Sequence, residues 1–436
     1  MADGKIKILY DATLLSYFSE KNEKRSGVYF VTYNILKEIL KHSKFEVTLY
    51  CDYKRILYMK ELMAQDNMLK QFKLMEVKDI TNPLIGMLAG MSFKFRKSPG
   101  IKDNLLKKAV RFISFRSFHI YDKSRKDSPA FIKKLQEFDV YFSPYEIIPQ
   151  EVAKDKNIKR FLFLHDVIPL ILEDLYNEIN LSSEWFRRLL KSLNSDDYYF
   201  SNSLSTKNDF IKYAPALTPE KISVAYLGAN ENFYKVTDDE KIRSIKEKYN
   251  IPQDKKYIFS LCSLEPRKNL IFAVKNFIEF IKKNNIEDFV FVLGGGQVKQ
   301  FQPKLEKEIS NLKEFKNKIL KIGYVADEDL SALYSGAEIF VYPSIYEGFG
   351  MPVLEAMQCG CPVITSNVSS LPEVIGSAGI QINPENDNEL IKAYEKMYFD
   401  KNFKEECARE SLKRASQFSW EKCVNIITDE IEKSLS

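Results

Sequence analysis

Two carboxylates, Glu347 and Glu355, stand with seven residues between them in the stretch Tyr342 to Pro362, YPSIYEGFGMPVLEAMQCGCP. A mostly apolar run, Ala337 to Val341, precedes them and reads as a buried strand. Gly348 and Gly350 provide a bend, Pro352 suits a helix's first turn, and Gly360 suits its end. A strand, glycine turn and helix in that order present unpaired amides and a positive dipole end to a phosphate. Gly348, Phe349, Gly350 and Met351 are the residues whose backbone would approach it, with Glu347 and Glu355 free to accept hydrogen bonds from hydroxyls on either side. The same spacing also fits an ordinary βα turn carrying two solvated acids.

Cations stand in a second turn. Tyr257 to Leu261 (YIFSL) reads as a strand, Ser263 to Asn269 as the loop after it, and Leu270 to Asn284 as a helix. Arg267 and Lys268 at that helix start would act with its dipole on a diphosphate, or would be two surface charges. His165, one of three histidines, closes the apolar run Arg160 to Leu164 (RFLFL), at a strand end where open α/β sheets bind ligands. A lone histidine is more often structural than catalytic. Gly294 to Gly296 follow the strand FVFVL and allow close backbone approach to a nucleotide, or form a tight loop.

Together, FVYPSIYEGFGMPVLEAM and CGCPVITSNVSSLPEV resemble retaining glycosyltransferases of family 4, which have the GT-B fold. The resemblance covers nearly the whole second half of the chain. In the first half it rests on Gly27, the HDVIP turn (His165 to Pro169) and the strand before Ser203. It implies that EPRKN grips phosphate through Lys268, with Cys262 and Ser263 where many members carry glycine and arginine, so that either Arg267 supplies the missing cation or the diphosphate is held with one charge fewer. It further implies that ILKIGYV, including Val325, contacts the nucleobase, that Gly295 lies near the nucleotide, that Glu355 holds a ribose, and that Gly27 borders donor and acceptor. His165 would lie beside the transferring sugar, with Asp166 fixing its ring or capping the loop. The wording of HDVIP and LEPRKN resembles members that use GDP-mannose or related GDP-sugars to build bacterial surface polysaccharides. A UDP-hexose donor and a GT-B nucleotide-sugar epimerase are the alternatives. No DxD pair stands at a strand end, so no metal and no cofactor beyond the nucleotide-sugar donor is expected.

Composition bounds these readings. The chain has 436 residues, 45% apolar and 29% charged, with a net charge of +5, as in a globular protein of two domains. No apolar run reaches the length of a membrane span and no signal peptide is apparent, so a cytoplasmic protein is expected. Six scattered cysteines fit neither a disulfide framework nor a zinc site. Between Lys94 and Lys126, however, there are eleven Lys or Arg against two Asp. Apolar residues at roughly helical spacing interleave them, which suits an anionic membrane face or a phosphate-bearing acceptor. Nucleic acid is not an expected partner, since the basic run is confined and no known binding module accompanies it.

The elements that must position these residues repeat a βα rhythm twice. Lys5 to Asp11, Phe45 to Tyr50, Asp139 to Ser143, Arg160 to Leu164 and Asp197 to Asn202 read as strands of a first half. The expectation is an α/β protein of two Rossmann-like domains facing a cleft. Residues 1–235 form the acceptor domain, 236–415 the nucleotide-sugar domain, and 416–436 a helix crossing back at Phe418-Ser419-Trp420.

Overall fold

A computed structural model describes residues 4–18, 27–52, 55–76, 129–178, 183–296 and 302–436. The basic segment 94–126 and Ser26 lie outside them. Thirteen strands among the described residues form two sheets. The first holds β1 (Ile6–Asp11), β2 (Phe45–Tyr50), β3 (Lys73–Leu74), β4 (Val140–Ser143), β5 (Lys159–Leu164), β6 (Tyr198–Ser201) and β7 (Ile222–Val224), in the order β3-β2-β1-β4-β5-β6-β7. The second holds β8 (Lys256–Leu261), β9 (Phe289–Gly294), β10 (Ile319–Gly323), β11 (Ile339–Tyr342), β12 (Val363–Ser366) and β13 (Ile380–Ile382), in the order β10-β9-β8-β11-β12-β13.

All the pairings are parallel, with registers such as Ile6 opposite Phe45 and Phe340 opposite Val363. Parallel strands covered on both faces should be apolar throughout, and β4, β9 and β11 are buried at every residue. Strand order reverses between β1 and β4 in one sheet and between β8 and β11 in the other. Open α/β sheets bind ligands at the carboxyl ends of the strands flanking such a reversal. The loops that carry Arg267, Lys268 and Glu347 leave β8 and β11.

The last helix, Trp420–Leu435, returns to the first lobe, packs on the helix Gly27–Ile39, and pairs Lys44 with Glu432 at 2.7 Å. Val424 and Ile427 extend the apolar core that contains Ile8 and Tyr10. Gly228 makes the crossing possible, because a Cβ there would stand 2.3 Å from the Trp420 amide nitrogen. Trp420 itself is buried, as a packing role requires.

Candidate functional site

The strand, turn and helix around Glu347 form as the sequence predicts. β11 leads into the turn, Gly350 caps the helix Met351–Gln358, and Pro352 lies in its first turn. In the cationic turn the helix begins at Leu270, as the sequence predicts; within the loop before it, Pro266 to Lys268 form a short 3-10 turn and Asn269 adopts a left-handed conformation. Proline is at home in a first turn, and asparagine tolerates positive φ. Arg267 and Lys268 therefore stand ahead of the helix start.

These two turns meet at one buried ionic cluster. Lys268 and Glu347 are only 6% and 7% exposed. Lys268 Nζ lies 2.6 Å from Glu347 Oε1, and Arg267 Nη1 lies 2.7 Å from Oε2. Tyr342 donates its hydroxyl to Oε1 at 2.9 Å and accepts from Lys268 at 2.6 Å, while Ser344 Oγ is 2.7 Å from Oε1. Burial would raise the Glu347 pKa, but Arg267 and Lys268 outweigh it and hold the carboxyl at about 2. Arg267 also pairs with Glu265 at 2.9 Å, and Glu265 accepts from Ser263 at 2.8 Å. Arg267 Nε is buried without a hydrogen-bond partner among the described residues. A buried lysine and a part-buried arginine balanced by buried acids, with one guanidinium donor unused, form a cradle suited to an anion.

Glu355 is set apart from this cluster. Its Oε2 accepts from the buried Tyr334 hydroxyl at 3.0 Å. Burial, against the opposing Tyr334 hydrogen bond, pushes its carboxyl up to about 7. Among the other positions, the Gly295 amide donates to Gly323 at 2.7 Å, and the Val325 side chain is buried against Gly294. Gly27 opens its helix with open space around it. The Phe349 ring packs against Tyr226 and Phe418 near the C-terminal crossing, so the ring serves packing. Met351, partly buried, packs against the core.

His165 reaches the same place from the first lobe. Its Nε2 lies 2.7 Å from the Pro144 carbonyl oxygen. A carbonyl only accepts, so Nε2 carries the proton and Nδ1 is left as an acceptor. Burial, opposed by the Pro144 hydrogen bond, lowers the histidine to about 4 and keeps it neutral. Asp166 does not hold the ring. It caps the turn, accepting from the Ile168 amide at 3.1 Å.

Gly348 lies where the two lobes meet. A Cβ there would stand 2.7 Å from the His165 carbonyl oxygen and 3.0 Å from Asp166 Cβ. Gly348→Ala should therefore cost about 1–3 kcal/mol by overpacking, or force the lobes apart. Thermal unfolding and small-angle scattering would read this, and wild-type values in both would contradict the close approach.

Several residues here carried no signal in the sequence. Tyr342 and Ser344 complete the Glu347 cluster. In the first lobe, Glu146 follows β4, and Asp11 ends β1 and accepts from Tyr141 at 2.6 Å. Burial, then the charges of Asp11 and Asp52, pushes Glu146 up to about 7. Tyr145 stacks on Trp185 at 4.8 Å and meets His165 edge-on at 5.7 Å. Acids and aromatics are common in proteins, and only the reversal between β1 and β4 and the loop after β4 bring these together.

Residues 241–414 match the family model described as Glycosyl transferases group 1. The serotype-specific mannosyltransferase WbdA of Escherichia coli is 30% identical over 298 residues, which is 67% of this chain and 35% of that protein. The O-antigen chain mannosyltransferase B of Escherichia coli is 53% identical over 103 residues, 23% of this chain and 27% of that one. The chain thus spans about a third of the length of the WbdA relatives. In fold it is similar to Anabaena HepE in complex with UDP and glucose, with a TM-score of 0.65 at 18% identity, covering 98% of this chain and 100% of that one. The glycosyltransferase WaaG, involved in lipopolysaccharide biosynthesis, gives a TM-score of 0.60 at 13% identity over 98% and 99% of the two chains. The fold is GT-B: two parallel Rossmann-like sheets whose second lobe carries a glycosyl transferases group 1 domain.

Proposed function

We propose that this chain, a GT-B protein with a glycosyl transferases group 1 domain, transfers a hexose from a nucleotide-sugar donor to a glycan or lipid-linked saccharide. The observation that carries the reading is the Arg267, Lys268 and Glu347 cradle at the strand reversal of the second sheet. A departing nucleoside diphosphate needs its charge stabilised, and fixed cations with nearby amides supply that stabilisation. Mannose from GDP-mannose is our preferred donor; the mannosyltransferase relatives support the sugar, and the likeness of HDVIP and LEPRKN to members that use GDP-sugars supports the nucleotide. A UDP-hexose is the second reading, favoured by the UDP and glucose held by the HepE structure. An epimerase of this fold would split the nucleotide-sugar bond without needing an acceptor.

We further propose retention of anomeric configuration, as in the family 4 enzymes the motifs resemble. On the front face, the bond from the sugar's anomeric carbon to the phosphate oxygen breaks as the bond to the acceptor oxygen forms. The acceptor's proton passes to the departing phosphate oxygen. His165, being neutral, adds no charge beside the positive sugar, and its Nδ1 accepts a hydrogen bond from a hydroxyl. Glu146, Tyr145 and Trp185 offer the acceptor a carboxyl group and ring faces. No metal is proposed, and among the described residues no three His, Cys, Asp or Glu side chains are grouped as metal ligands. A cytoplasmic setting agrees with six buried, unpaired cysteines. Contact with an anionic membrane face through residues 94–126 remains our proposal. Among the described residues no helix is long and apolar enough to cross a membrane.

The test is incubation with GDP-mannose and UDP-hexoses plus saccharide acceptors, followed by assignment of the new linkage. An axial donor linkage kept axial supports retention, and inversion refutes it. Glycosyl release without an acceptor-dependent product would favour the epimerase.

Glu355 adds a pH prediction. Ribose hydroxyls donate more strongly to its ionised form, which in the free protein predominates only above about 7. Affinity for GDP-mannose should fall about tenfold from pH 8 to pH 6, and Glu355→Gln should flatten the profile. Calorimetry at both pH values measures it, and identical profiles for the two proteins would contradict the ribose contact.

A further inference from the structure

Glu373 lies in the short helix Leu371–Ile375 of the second lobe, outside the cradle. Its carboxylate reaches across to the first lobe. Oε2 accepts from the Leu204 amide at 2.7 Å and Oε1 from the Ser205 amide at 2.8 Å. These are the first two amides of the helix Leu204–Tyr213. Oε2 also accepts from the Tyr226 hydroxyl at 2.9 Å. Behind it, Arg414 donates to the carbonyls of Glu373 and Val374 and holds the carboxylate's backbone in place. A carboxylate at a helix start satisfies free amides and complements the dipole.

The same helical turn holds both sides of the candidate site. Ser203 Oγ and Thr206 Oγ1 lie 2.7 Å and 3.1 Å from the Gly348 carbonyl oxygen. Asn202 donates to the His165 carbonyl at 2.8 Å, and Thr206 Oγ1 lies 3.2 Å from that oxygen. On the second lobe, Ser370 Oγ, one residue before Glu373's helix, lies 3.0 Å and 2.8 Å from the carbonyl oxygens of Glu347 and Phe349. Residues 202–206 and 369–373 thus form one seam, with His165 hung on one side and the Glu347 turn on the other. Tyr346 reinforces it, donating to Asp209 of the same first-lobe helix at 2.7 Å.

The geometry points to Glu373 as a positioning residue: its grip on the first turn of the Leu204–Tyr213 helix fixes the closed arrangement that sets His165 against the Glu347–Met351 turn. It acts through the seam and touches no part of the cradle. Loss of the grip therefore reduces turnover and leaves nucleotide affinity in place. The kinetic part of this inference rests on the transferase reading above; the structural part does not.

The experiment compares wild type, Glu373→Gln and Glu373→Ala by GDP calorimetry, sugar-transfer kinetics, thermal unfolding and small-angle scattering. In Glu373→Ala, kcat should drop about tenfold or more while the Kd for GDP stays within about twofold and the radius of gyration rises. Glu373→Gln, whose amide oxygen still accepts one hydrogen bond, should recover part of the turnover. Turnover in Glu373→Ala within about twofold of wild type overturns the inference, as does loss of kcat, GDP affinity and melting temperature together at unchanged dimensions. If the wild type transfers no sugar, the transferase reading fails by itself. Scattering then decides: expansion of Glu373→Ala upholds the seam, and unchanged dimensions overturn it.

Discussion

Glu347→Ala should abolish the proposed sugar transfer and destabilise the nucleotide-free protein, and a nucleoside diphosphate should reverse much of that destabilisation. The reason is the position of the carboxylate. Glu347 is the buried counterion of both Arg267 and Lys268, with Oε1 on the lysine and Oε2 on the arginine. Removing one partner of a buried ion pair strands the other charge, at a cost of about 3–5 kcal/mol. Glu265 still faces Arg267, so the lower end of that range is expected. A diphosphate brings back the missing negative charge and stabilises by mass action. The melting temperature of Glu347→Ala should therefore lie several degrees below wild type without ligand, yet rise more than wild type on adding GDP. Glu347→Gln keeps the volume and loses the charge, so it should share both effects. A variant with wild-type melting and a wild-type GDP shift would show that the carboxylate does not balance the cradle.

Lys268→Ala should have the second-largest effect and a different signature. Its ammonium donates to Glu347 and to Tyr342 inside the second lobe, and on our reading it turns to the departing phosphate. Loss of one such electrostatic contact typically costs about a hundred- to a thousandfold in kcat. Affinity for a nucleoside diphosphate should fall while that for the matching nucleoside holds, because the ammonium meets phosphate only. Stability should suffer less than in Glu347→Ala, since Arg267 still pairs the carboxylate. Lys268→Arg is not a conservative rescue in so enclosed a site, because a planar fork replaces a compact ammonium. Steady-state kinetics with binding of GDP and guanosine reads these effects. Equal losses for nucleoside and nucleotide would move Lys268 out of the phosphate site.

The fold was legible because its signals are local. Apolar runs such as FVFVL and YIFSL, spaced by amphipathic segments, could hardly be other than buried parallel strands. The Glu347 turn announced itself through Gly350 and Pro352, which punctuate a helix start wherever they occur together. Partners far apart in the chain were not legible. Sequence reading offered Glu347 to sugar hydroxyls, while the structure gives its oxygens to cations 79 and 80 positions earlier, bound at 2.6 and 2.7 Å. In sequence, Asp166 reads as fixing the His165 ring or capping the loop; it does the second, and the ring is held by the carbonyl of Pro144, directly after the adjacent strand β4. Phe349 reads only for its backbone in the donor turn; its ring packs on Phe418 of the returning C-terminal segment, a partner too distant in the chain to be legible. Glu373 stands inside the motif stretch CGCPVITSNVSSLPEV with no legible role of its own, because its ligands are backbone amides of the other lobe, which no side-chain pattern encodes.

Locating a bound nucleotide tests the central claim most directly. In a crystal of the protein with GDP, or with GDP-mannose, the diphosphate should lie at the carboxyl ends of β8 and β11, within hydrogen-bonding distance of Arg267 and Lys268. A nucleotide bound elsewhere, with the two cations still paired only to Glu347 and Glu265, would contradict it.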